Sequence, residues 1–291
     1  MDPLADETKW LQMSDIASRL RVSALFGEPA FVACRPILIK GWSIARFYDK
    51  ERIRVSTDID VLFCSRESER TLQVIRGRSE SIAIDPHFGP RHLDTLSFDE
   101  LFSRSYEIEL EGVPIRVLAD EDNLRITAVH WLTDGGVNKE KLWDIYYLVK
   151  NRRPGFDWVR CLDTSMPARK TWVMAAIATA RDHLDLDVSD LPAEVREFAL
   201  PGWYEQTLKK EWRLGVYPRR ILSTVITRPK LLFEQLRRKL PPNRIAATID
   251  TETAIDATTR IPAQLKSLAK KSLAFVRGIT SRLTYSSIGK R

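Results

Sequence analysis

Ile59, Val61 and Phe63 alternate with Asp58, Asp60 and Leu62 in the stretch Arg54-Val-Ser-Thr-Asp-Ile-Asp-Val-Leu-Phe63. That alternation is the period of a β-strand, so residues two apart project from one face. Asp58 and Asp60 therefore stand side by side at the end of an apolar run. Two carboxylates that close repel unless a cation or a proton lies between them. An unpaired charge in an apolar run is also costly. Oxygen ligands of this kind suit magnesium or manganese beside the phosphates of a substrate. Asp-x-Asp in a surface loop is the plainer alternative, and context argues against it. A second apolar run, Pro36 to Lys40, ends in Gly41. Glycine permits a tight turn into a short helix over Ser43 to Tyr48, whose first amides can hold a phosphate.

Gly41-Trp42-Ser43 followed by Asp58-Ile59-Asp60-Val61 resembles the pattern of the polymerase-beta-like nucleotidyltransferase superfamily. Within that superfamily the chain more closely resembles a bacterial group of uncharacterised nucleotidyltransferase-family proteins. That likeness rests on Lys40 before the glycine, Arg54 before the aspartates, and the acid-x-His of Asp85-Pro86-His87. Val129-His130-Trp131, Leu142-Trp143-Asp144-Ile145 and the stretch from Leu240 to Thr248 extend it more weakly along the chain. The resemblance implies a small mixed sheet flanked by helices, followed by a helical C-terminal domain: an α+β chain. It implies a metal-dependent transfer of a nucleoside monophosphate from a nucleoside triphosphate such as ATP to an acceptor. Asp58, Asp60 and Asp85 would hold Mg2+ or Mn2+, with Asp85 also a candidate general base. Lys40, Gly41, Ser43 and Arg54 would bind the triphosphate. Each has a simpler alternative: Asp85 a turn before Pro86, Arg54 a solvated loop residue, Ser43 a helix cap. Two features depart from the family pattern. Trp42 stands where a small residue is expected, either crowding a triphosphate or turning into the core. Asp49 to Thr57 reads as an extra loop. A catalytically degenerate nucleotide- or nucleic-acid-binding accessory protein is the competing reading.

The rest of the chain reads as a catalytic domain over 1–118, a helical domain over 119–240, and a connector with a basic amphipathic helix over 241–291. Helices are expected over 7–26, 66–78, 98–103, 139–151, 170–184, 192–212 and 217–239. The first is built on Trp10, Leu11, Ile16, Leu20 and Leu25. A strand is expected at Ser81 to Asp85, ended by Pro86, and a hairpin over Glu107 to Leu118 turning at Gly112. Asp120 is expected to cap a helix running to Trp131. A polar connector follows Pro242, and a basic amphipathic helix runs from Ile261 to Leu283.

The net charge of +7 favours nucleotides, nucleic acid or anionic lipid without choosing among them. The acceptor could be RNA, a peptide or a small metabolite. Basic runs such as Lys209-Lys210 and Lys270-Lys271 are solvated helix faces or phosphate contacts, and the last helix could meet an anionic surface. Cys34, Cys64 and Cys161 have no metal spacing and suit a reduced cytoplasm. No apolar run approaches the ~18 residues of a membrane span, and no secretion signal is visible at the N-terminus. His87 is placed to orient Asp85 or touch substrate, and His130 and Asp144 to pair across successive helices.

Overall fold

A computed structural model describes residues 3–56, 58–77, 83–163, 166–214, 240–256 and 259–273. The expected strand pattern builds a five-stranded mixed sheet. Its strands are β1 (Ile37–Leu38), β2 (Ile59–Leu62), β3 (Ile84–His87), β4 (Tyr106–Leu110) and β5 (Val113–Val117), in the order β3-β2-β1-β5-β4. β1 pairs antiparallel with β2 and parallel with β5, and β2 pairs parallel with β3. β4 and β5 form the hairpin. Its turn places Glu111 and Gly112 at φ +49° and +76°, the pair of positive angles a tight right-twisting hairpin requires.

The alternation of β2 sorts its two faces. Ile59, Val61 and Phe63 join Leu38, Ile115 and Val117 in one apolar cluster. That face is covered by α1 (Pro3–Phe26) and α2 (Pro29–Val32), which contribute Val22, Leu25, Phe26 and Phe31. Leu62 faces the other way and joins Ile37, Ile39, Leu101, Leu118 and Ile126. Those residues bring in α5 (Phe98–Arg104) and α6 (Asp120–Thr133). Of the stripe expected on α1, Leu25 is buried while Trp10, Ile16 and Leu20 stay exposed. The last turns of α1 supply its buried contacts with the sheet.

The third cluster is helical. α6 packs with α7 (Leu142–Lys150), α8 (Trp158–Asp163) and α9 (Pro167–Leu184); α10 (Ala193–Arg196) packs on α9, and α12 (Arg244–Asp250) joins α6 to α11 (Gly202–Leu214). Trp131, Trp172, Ile177, Tyr204 and Leu208 are wholly or almost wholly buried within it. Ile44 and Phe47 belong to this cluster too. They come from α3 (Gly41–Ala45) and the turn after it, so the short helix beyond β1 is a bolt between sheet and helices.

Several sequence expectations need correction. Pro86 does not end the third strand, because β3 is an edge strand. Ile59 N–H donates to Ala83 O and Phe63 N–H to His87 O, at 2.9 Å each. The bonded residues of β3 are thus the odd ones, and the missing N–H of Pro86 falls on the open edge. Residues 81–82 of that expected strand lie outside the described residues. Ala119, not Asp120, occupies the cap position of α6, and Asp120 is instead held by Arg46, Tyr106 and Arg153. The helix expected over 192–212 is two helices, α10 and α11, interrupted before Pro201. The polar connector after Pro242 contains α12, whose Ile245, Ala247, Thr248 and Ile249 are buried. Its threonines return hydroxyls to their own helix, as Thr248 Oγ1 does to Arg244 O at 2.8 Å, so a polar composition still buries. The helix expected over 217–239 lies outside the described residues, and helix α13 is described over 261–273. Among the described residues no helix is long and apolar enough to cross a membrane.

Trp172 is the central test of the helical cluster. It is fully buried, and its indole N–H donates to Thr253 O at 2.7 Å. Trp172→Ala should cost about 3–5 kcal/mol in urea unfolding, read as a lowered midpoint with an unchanged slope.

Candidate active site

Register decides what stands next to Asp60. In the parallel pairing of β2 and β3, Asp60 lies opposite Asp85, and Leu62 opposite His87. Ile84 packs into the cluster beneath α1, which leaves Asp85 and His87 to the face that carries Asp60. The backbone of Asp60 is fixed from both sides, since its carbonyl accepts from Ile39 N–H at 3.0 Å while its strand bonds to β3. One carboxylate oxygen of each aspartate and a ring nitrogen of His87 lie within 4.8 Å of one another.

Lys40 completes this group. Its Nζ donates to Asp60 Oδ1 at 3.0 Å and stands 3.3 Å from His87 Nε2. With Nε2 protonated, His87 donates to the same Asp60 oxygen at 2.8 Å, and that nitrogen lies 3.3 Å from Asp85 Oδ2. Asp60 is buried. Burial works against its charge, but the His87 hydrogen bond and the Lys40 ammonium outweigh it and hold the carboxyl below the ordinary carboxylate range.

Lys40 reaches this position through a strained backbone. Its φ of +47° with ψ of −150° is a conformation largely reserved for glycine. Gly41 follows at φ +41°, where a Cβ would meet Ser56 Oγ at 2.9 Å. The glycine lets the segment carrying Asp58 pass against the turn, and Ser56 Oγ in turn donates to Asp58 O at 3.0 Å.

The expected loop before β2 docks on α7. Arg54 grips Asp144 with two bonds, Nε to Oδ1 at 2.6 Å and a terminal nitrogen to Oδ2 at 2.9 Å. Tyr48 donates to Asp144 Oδ1 at 2.7 Å. Asp49 accepts from Lys150 at 2.6 Å and Asn151 at 3.0 Å, and Arg52 pairs with Glu140 while lying over the Trp143 ring. Desolvation of Arg54 opposes its charge, but Asp144 more than restores it and raises its pKa. Tyr48 is pushed up by burial and by the same carboxylate.

Together these elements enclose a cleft of about 310 Å³. Lys40, Gly41, Arg54, Asp58, Asp60 and Asp85 line it from the sheet side, and Thr127, His130, Lys141 and Asp144 line it from α6 and the start of α7. Six of the seven residues singled out in the sequence meet here. Ser43 does not: it is fully buried behind the turn, where Asn123 donates to its hydroxyl at 2.9 Å. With the Arg46–Asp120 ion pair at 3.0 Å, that bond fixes α3 against α6. Trp42 is not on the cleft wall either, because its ring packs into the cluster under α1. Asp144 meets Arg54 rather than His130. Lys141 has no motif to announce it, and its place follows only from how α7 lies against the loop.

No protein-family profile and no curated protein matches this chain. Among solved structures it is similar to an antigenic nucleotidyltransferase-like protein from Paracoccidioides brasiliensis. The two are 13% identical with a TM-score of 0.42, and the match spans 59% of this chain and 90% of the other. A likeness so distant carries no weight beside the geometry of the cleft.

The depressed pKa of Asp60 makes its contribution to stability complete above the ordinary carboxylate value and lost as pH falls through the folded value. In metal-free buffer Asp60→Asn should therefore flatten the fall in urea midpoint below about pH 4, compared with the wild-type protein.

Proposed function

We propose that this chain is a metal-dependent nucleotidyltransferase that moves a nucleoside monophosphate from a nucleoside triphosphate to an acceptor. The observation that carries this reading is the registered pair Asp60 and Asp85, facing one cleft with Asp58 and set between cationic residues. A cleft with carboxylates on one wall and Lys40, Arg54 and Lys141 around them suits a phosphate chain accompanied by a divalent ion.

The donor set fits such an ion. Asp60 and Asp85 supply hard oxygens within 4.8 Å of one another, and Asp60 is held in its charged form. Asp58 stands on the same wall, and His87 is left to hold Asp60 by its hydrogen bond. When bound, Mg2+ or Mn2+ would neutralise phosphate charge and stabilise the leaving pyrophosphate.

The chain's own residues carry the remaining work. Lys40 and Lys141 supply positive charge to phosphate oxygens, and Arg54 presents the outer edge of a guanidinium that Asp144 holds rigid. In the transfer, an acceptor hydroxyl oxygen bonds to the α-phosphorus. The bond from that phosphorus to the bridging oxygen breaks, and pyrophosphate leaves with the electron pair. The hydroxyl proton passes to the Asp85 carboxylate. Lys40 balances the charge of Asp60 while the cleft is free of ligand. His130, whose pKa is lowered by burial and by the nearby Lys40 and Lys141 ammonium groups, contributes a neutral imidazole to the wall.

Incubation with each labelled nucleoside triphosphate, magnesium, and pools of RNA, peptide or small-metabolite acceptors tests the reading. Wild-type protein should label an acceptor and release pyrophosphate, and Asp60→Ala should lose at least a hundredfold in rate. Equal inertness of both proteins across all pools would remove the support for an enzyme.

A further inference from the structure

Lys40 already serves Asp60 as a cation. Its Nζ stands 3.0 Å from Asp60 Oδ1, and that oxygen also accepts from His87 Nε2 at 2.8 Å. Asp60 is one of the two carboxylates whose oxygens lie within 4.8 Å of one another. The side chains of the ion pair are mostly withdrawn from water, Lys40 at 13% and Asp60 at 11% exposed. Water therefore screens this corner of the cleft poorly, and charges there act strongly on one another. A divalent ion coming alone to Asp60 would meet an ammonium held a hydrogen bond away. Two cations on one carboxylate repel, just as two carboxylates do.

The backbone fixes where that ammonium starts. Lys40 sits at φ +47° and ψ −150°, with Gly41 at φ +41° beside it. α3 begins at once, and its Ile44 is fully buried in the helical cluster. The main chain of Lys40 is thus held between β1 and α3, and what is left to shift is a flexible four-carbon stem. That side chain lines the cleft of about 310 Å³ that contains Asp58, Asp60, Asp85 and Arg54. It also lines an adjoining cleft of about 350 Å³, together with His87. Its charge stands at the junction of two cavities. A triphosphate in the first of them would offer it new oxygens without any change of backbone.

We propose that Lys40 is a specificity-determining residue, which makes the site exclude a free divalent ion and accept the ion as its complex with a nucleoside triphosphate. This role presupposes the nucleotidyl-transfer reading of the cleft. While the cleft is free of ligand, the ammonium neutralises Asp60 and weakens the attraction of the carboxylates for a lone ion. The triphosphate supplies anionic oxygens that draw Lys40 away from Asp60. The carboxylate, no longer neutralised, then faces the ion that the phosphates bring. Metal and nucleotide strengthen each other's binding by the same factor, and Lys40 is a large source of that factor. Without this lysine the carboxylates would attract the ion whether or not a nucleotide came with it.

Titration of the full chain with Mn2+, its free concentration read by electron paramagnetic resonance, tests this in the absence of nucleotide. Lys40→Met nearly keeps the length of the side chain and removes its charge. It should bind Mn2+ at least tenfold more tightly than wild type, and the gain should vanish in Lys40→Met/Asp60→Asn. Calorimetry with a non-hydrolysable ATP analogue supplies the second readout. Mn2+ should raise the affinity for the analogue at least tenfold in wild type, and by a factor at least three times smaller in Lys40→Met. Circular dichroism checks the fold of each variant, and Lys40→Gln replaces Lys40→Met if the latter does not fold. Equal Mn2+ affinity of wild type and Lys40→Met, or a gain that survives Asp60→Asn, would overturn the role of Lys40 alone if wild type still binds the Mn2+–analogue complex. A wild-type protein that binds no analogue, with or without Mn2+, would instead sink the transfer reading, and the specificity with it.

Discussion

The shared contact of Lys40 and His87 with Asp60 Oδ1 organises this molecule. A carboxylate buried on a sheet face beside a second one across the strand pair is unstable by itself. Here the cation arrives from the end of β1 and the imidazole from the edge strand β3, so three strands must be in register before the charge is met. That requirement explains the strained turn at Lys40. A lysine that followed β1 in ordinary extended backbone would not combine this contact with the immediate start of α3, whose Ile44 and the following Phe47 anchor the helical cluster. Backbone strain at one residue thus serves both the site and the junction between sheet and helices.

The second wall of the cleft depends on a longer chain of contacts. Arg54, Tyr48, Asp49 and Arg52 all reach α7, and Asp144 is the point where two of them converge. This arrangement leaves the bidentate pair to set the position of the loop, with the remaining face of Arg54 turned to the cleft. It also joins the carboxylate wall to α6 and α7, so that His130 and Lys141 come within reach of whatever the carboxylates hold.

Much of this was legible in the sequence, and for local reasons. The alternation around Asp60 fixed its face, and glycine before a helix marked the turn at Gly41. The Glu107 to Leu118 pattern read as a hairpin because its turn chemistry is contained within it. Ser43 and Trp42 show where local reading stops. Both sit one step from the cleft, but the bond from Asn123 and the cluster under α1 turn their side chains away, and those neighbours are distant in the chain. Arg54 looked free because its partner lies ninety residues on. Pro86 looked like a terminator because edge position is a property of the sheet, not of the strand.

On the proposed reading, Asp60 and Asp85 hold a divalent ion together with a nucleotide. Calorimetric titration of the wild-type chain and of Asp60→Asn/Asp85→Asn with a non-hydrolysable ATP analogue, with and without magnesium, tests it most directly. Magnesium should strengthen binding at least tenfold in wild type and have no effect on the double variant. Equal affinity in wild type with and without the metal, unchanged in the variant, would contradict it and leave a chain that binds nucleotide without the means to transfer it.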